Sequence, residues 1–123
     1  MSSVNIVSAR SGDNPDLVAM HRDLVGLVHR LEESIDFAPD APTIAAITEQ
    51  MADVNARVTS IGRVLLAAQT KEITRHAKAV SEAIPAVENE VKNLQDCKRL
   101  VSSVAALLGT VDEAVRVATL AYG

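Results

Sequence analysis

A chain of 123 residues fits a single domain, and with 48% hydrophobic residues but only one Phe, one Tyr and no Trp it must build its core from aliphatic side chains. The net charge of −4 opposes non-specific attraction to nucleic acid or anionic membrane, and the missing aromatics remove the stacking platform of single-strand binders. The lone cysteine, Cys97, excludes an intramolecular disulfide and fits a reducing compartment.

Residues 1–13 are polar and lack helical periodicity, so they are expected to form a flexible N-terminal tail ahead of a helical domain over residues 14–123. They hold no apolar stretch behind a basic start, and no run in the chain approaches the roughly 18–20 apolar residues of a membrane span. A cytoplasmic protein without membrane insertion is the expectation.

The first helix has a clear start: Asn14 as N-cap, Pro15 at the first helical position and Asp16 in the first turn. Leu17, His21, Leu24, Val28, Leu31 and Ile35 then repeat at alternating spacings of four and three, a heptad seam. Val18, Met20, Val25 and Leu27 widen the stripe enough to touch two neighbours. Pro39 and Pro42 end this helix, and Pro42 can open the next. There Ile44, Ile47, Met51, Val54, Val58, Ile61 and Leu65 give the cleanest periodicity in the chain.

The phase then changes. Ile73, Ala77, Val80, Ile84, Val87, Val91 and Leu94 form a third seam, and Val101, Val104, Leu108, Val111, Val115, Ala118 and Tyr122 a fourth, with Asp96 placed to cap it. Four segments joined by short connections predict an all-α, antiparallel up-down four-helix bundle with sequential helices as neighbours. The boundary near Gln69–Thr70 carries neither Gly nor Pro, whereas Pro85 stands inside a seam. The alternative is therefore one short and two long helices in a dimeric, coiled-coil-like bundle. Gly26, Gly62 and Gly109 interrupt helical stretches and suggest close helix crossings. Thr110 to Glu113 also matches a capping box that would restart a short last helix.

No catalytic, cofactor or metal site is read from the sequence. His21 falls in the first seam and reads as a core residue. The pairs His29–Glu32 and Glu72–His76 do not make the Glu-x-x-His motif of di-iron bundles. No serine sits in a nucleophile elbow, and no glycine-rich phosphate loop exists. The run Thr74-Arg75-His76-Ala77-Lys78-Ala79-Val80, in a bundle of this size and acidity, resembles the plan of a histidine phosphotransfer domain, with His76 as phosphoacceptor and Lys78 as its helper. Lys78 stands two residues on, where that family has three, and no glycine follows.

The reading that leads is a non-enzymatic interaction protein that associates with itself, as a homodimer, or with a partner helix. Its motivation is apolar excess, since a lone bundle needs about three-sevenths of its helix positions apolar. Val18, Met20, Val25, Leu27, Val64, Leu66, Val117 and Leu120 are the expected interaction surface. A phosphotransfer or small-ligand sensor bundle is the alternative.

Overall fold

Four α-helices make up the computed structural model, which describes residues 12–122: α1 Pro15–Ser34, α2 Ala41–Gly62, α3 Lys71–Val91 and α4 Cys97–Tyr122. Short 3-10 turns, Ile35–Phe37 and Leu94–Asp96, follow α1 and precede α4. Of the tail expected over residues 1–13, all but Gly12 and Asp13 lies outside the described residues.

Side-chain caps start three of the helices. Asn14 is extended and its Oδ1 accepts from the N–H groups of Asp16 at 3.0 Å and Leu17 at 3.2 Å. Asp40 accepts from Thr43 N–H at 2.9 Å, and Thr70 from Ile73 N–H at 3.1 Å. The Thr70 cap supplies the break that no Gly or Pro marks. α4 begins differently, on helical backbone continuous with the preceding 3-10 turn. The non-helical position is Asn93, which makes no side-chain cap, so Asp96 does not take the capping position expected of it. α3 runs unbroken through Pro85, which removes the three-helix alternative. Pro85 and Ser81, whose carbonyl loses its helical donor, both face solvent, where water can replace that bond.

Helix directions follow from two ties. The Asn14 N–H donates to the Leu65 carbonyl at 2.7 Å, which sets the start of α1 beside the end of α2. The Asp16 carboxylate receives Gln69 Nε2 at 2.6 Å and the Thr74 hydroxyl at 2.7 Å, which sets the start of α3 beside the start of α1. Directions therefore alternate along the chain. α1 packs chiefly on α2 and α3, and α4 on α3 and α2, so α2 and α3 lie diagonally opposite. Sequential helices are neighbours in α1–α2 and α3–α4, whereas residues 63–70 cross the end of the bundle. We call this the crossing end and the opposite one, with its two tight helix–helix connections, the hairpin end.

Leu17, Leu24, Leu31, Ile47, Val54, Ile61, Val80, Val87, Leu100, Val104 and Val111 are fully buried between the four helices. The α3 seam is the one expected. In α2 the buried face turns toward Thr43, Ile47, Gln50, Val54 and Ile61, leaving Ile44 exposed and Met51 and Val58 half-buried. α4 buries Val104, Leu108, Val111 and Ala118 of its expected seam together with Leu100, Leu107, Ala114 and Val117, leaving Val101 and Tyr122 exposed and Val115 half-buried. Neither Gly26 nor Gly109 marks a close crossing: a methyl on Gly26 would meet only Arg30 of its own helix, and one on Gly109 nothing within 4 Å. Gly109 and Thr110 lie inside α4, and the Thr110 hydroxyl donates back to the Ala106 carbonyl at 3.2 Å, so no capping box forms there.

Two outcomes follow. Asn14→Ala removes a cap together with donors to two carbonyls and should lower unfolding free energy by about 2–3 kcal/mol in urea titration, while Asn14→Ser, which restores the cap alone, should regain about 1 kcal/mol of it. Gly109→Ala should raise stability by about 0.5–1 kcal/mol, because helix propensity improves and nothing is crowded.

Candidate functional site

The expected interaction surface divides sharply. Met20, Leu27, Val64 and Val117 are buried inside the bundle, which corrects their assignment to a free surface: the wide stripe of α1 is covered by α2 and α3 together. Val18 and Val25 are half-buried. Leu66 and Leu120 alone of the eight are exposed, at 61% and 73%.

They belong to a wider pattern. The exposed large hydrophobic residues among those described are Phe37, Ile44, Leu66, Val101, Leu120 and Tyr122. Leu66 lies in the connection across the crossing end, where the last turn of α4 brings Leu120 and Tyr122. Phe37 lies in the 3-10 turn at the hairpin end, and Ile44 and Val101 lie near the starts of α2 and α4, which point to the same end. The middle of the bundle presents none. Along the sides the large apolar residues are buried or half-buried, and the exposed ones stand at the poles.

At the hairpin end an open groove of about 690 Å³ runs between the end of α1 and the α3–α4 connection, lined by Arg30, Ser34, Phe37, Val91, Lys92 and Leu94 among others. α1 positions Arg30 to pair with Glu88 of α3, while the Ser34 hydroxyl donates to the Leu31 carbonyl at 2.7 Å. These polar groups are engaged with the protein itself, and Phe37 stands 78% exposed at the rim. A smaller cleft of about 240 Å³ lies between α1 and α3, bordered by Asp16, Met20, Asp23, Thr74 and Lys78.

The two residues of the phosphotransfer reading are not brought together. Lys78 borders the cleft toward α1. His76, half-buried, is on the α4 side, close enough to Glu113 to help lower the pKa of that carboxyl. The hydrogen bonds and charge of Arg116 are the main cause of that lowering. A phosphoryl group on His76 would thus meet a carboxylate and no helping lysine. His29 and Glu32 form an exposed pair at 3.9 Å, and among the described residues no three His, Cys, Asp or Glu side chains converge as metal ligands. Cys97 is half-buried and unpaired at the start of α4.

His21 is 8% exposed on the inner face of α1, opposite Gly62, where a methyl would stand 3.9 Å from Nε2. A methyl there would make only ordinary van der Waals contact, so Gly62 marks no close crossing either. Burial pushes the imidazole pKa below its ordinary 6.5. The signal missed in the sequence lies in rotation, since a shift of the buried face by part of a turn decides which flanking residues reach the surface. Among the described residues no helix is long and apolar enough to cross a membrane. No protein-family model, curated protein or solved structure matches the chain.

The His21 shift fixes a pH response. The unfolded chain takes up a proton near pH 6.5 and the folded one only at lower pH, so stability is full above 6.5 and falls as pH drops below it. Urea titrations at pH 7.5 and pH 5.5 should show this loss in the native chain, and His21→Leu should show a smaller one. Equal losses in both would remove His21 as the cause.

Proposed function

We propose that the protein is a non-enzymatic interaction module of the cytoplasm, which associates with itself and grips partner helices through its two ends. The observation that carries this reading is the gathering of exposed apolar side chains at both poles of a bundle whose sides are closed. Contiguous apolar surface that a fold leaves open marks contact sites more often than scattered single residues do. The groove beside Phe37 supports the reading further, because it is open and its lining combines apolar with charged side chains. The Arg30–Glu88 pair in that lining is a structural tie between α1 and α3.

Light scattering coupled to size exclusion tests the self-association. The mean mass should rise above that of one chain as loading is increased from about 10 μM to about 1 mM, the range in which contacts of −4 to −7 kcal/mol become populated. Phe37→Glu, at an exposed site, should abolish the rise without changing the helical circular dichroism. A single-chain mass at every concentration would sink self-association.

A further inference from the structure

We propose that copies of this chain join head to tail, the last turn of α4 at the crossing end of one copy seating in the Phe37 groove at the hairpin end of the next. The inference rests on the self-association reading and specifies which surface meets which.

The shapes are those of a knob and a groove. Glu113 and Arg116 of α4 lie near His76 and Glu72 of α3. At 1.5 Å per residue Leu120 stands roughly 6 Å beyond Arg116, past the first turn of α3. α4 therefore runs past the start of α3; its inner face stays packed on the core through Ala118 and Ala121, while Leu120 and Tyr122 are exposed on its tip and Leu66 in the connection at the same end. The receiving groove, about 690 Å³, offers Phe37, Val91 and Leu94 as apolar contacts. Lys92 in its lining can meet the carbonyl end of the incoming helix, where the helix dipole is negative.

Charge fixes the pairing. From Leu31 to Ala56 the chain holds Glu32, Glu33, Asp36, Asp40, Glu49 and Asp53 and no Lys or Arg. The first four flank Phe37 and are exposed; Glu32 pairs with His29 and Asp40 caps α2, which leaves Glu33 and Asp36 without an ion pair among the described residues, and the same end also carries exposed Lys92 and Lys98. At the crossing end Arg63, Lys71 and Arg75 are exposed and form no ion pair among the described residues. The carboxylates there are engaged: Asp16 by Gln69 and Thr74, Glu113 by Arg116. Glu72 is near Arg116. A two-fold contact through the groove would set Glu33 and Asp36 against their own copies, whereas head-to-tail contact sets them against Arg63, Lys71 and Arg75. Such a contact leaves a free surface at each end of every assembly, so it extends or closes into a ring. The end of a four-helix bundle is small for an interface, which puts the contact in the weak, concentration-dependent class.

Two variants at exposed positions, Phe37→Glu and Leu120→Glu, each disable one surface. The native chain should grow in mass with concentration up to about 1 mM. Each variant alone should remain single-chain, at least tenfold weaker in association, with unchanged helical circular dichroism and Tm. An equimolar mixture of the two should give a two-chain species and nothing larger, because each retains the surface the other lacks. Raising salt should weaken the native association severalfold. A native chain that associates while either variant still dimerises alone, or while the mixture stays single-chain, overturns head-to-tail contact and leaves self-association standing. A native chain that is single at every concentration overturns both.

Discussion

One buried amide holds the crossing end together. Asn14, 2% exposed, caps α1 through its Oδ1 and donates through Nδ2 to the Ala67 and Ala68 carbonyls at 3.3 and 3.4 Å, while its own N–H reaches Leu65. A segment crossing the end of a helical bundle exposes carbonyls that no helix satisfies, and each one buried without a donor costs about 1–3 kcal/mol. Asn14 answers two of these with the side chain that also starts α1. The diagonal placement of α2 and α3 depends on this, because a short connection between neighbouring helices would not need to pass over α1 at all. Only Asn supplies an acceptor and two donors at this length; Asp and Ser supply the acceptor but no comparable pair of donors.

Most of the fold could be read in the residues, and the reasons for the exceptions are local. Helix existence followed from seams that leave few alternatives, and the Asn14–Pro15 and Pro39–Pro42 signals placed two boundaries. α3, with a single apolar stripe between charged flanks, showed the buried face its seam predicts. α1, α2 and α4 carry apolar residues on more than one seam, so the pattern alone allowed two rotations of each. In α2 the choice fell on Thr43 and Gln50 over Ile44 and Met51. Thr43 is at the helix start and tied to Asp40, while Gln50 packs with an aliphatic stem. Composition cannot rank those rotations, since the difference arises from how four stripes fit at once. The same ambiguity placed Met20, Leu27, Val64 and Val117 on a surface when they are core. Leu66 and Leu120 stand off every seam, but so do the buried Val64 and Val117, so that mark alone does not separate surface from core.

The bundle is built from side chains that bury little area each. Leu and Ile are the largest of its fully buried residues, worth about 1.5–3 kcal/mol apiece, and much of the remaining core is Val and Ala. Stability of that kind comes from closure on all sides, and the wide stripe of α1 accordingly packs on two neighbours, with Val18, Val25 and Val28 left half-buried at its margins. Closure fails where the helices begin and end. α4 is 26 residues and α3 is 21; the last turn of α4 keeps Ala118 and Ala121 on the core and turns Leu120 and Tyr122 outward. The exposed poles are thus where helix ends and connections leave apolar side chains that no further helix covers.

Both aromatic residues stand at those poles: Phe37 is 78% and Tyr122 53% exposed, and no aromatic ring lies in the core. Near-ultraviolet circular dichroism arises from aromatic rings held in asymmetric surroundings, and its loss beside retained helical signal is a usual mark of a molten globule. This fold has fixed aliphatic packing and almost no chromophore to report it. Its optical spectrum resembles that of a collapsed but unpacked chain, and methyl chemical-shift dispersion is the observable that reveals the order within.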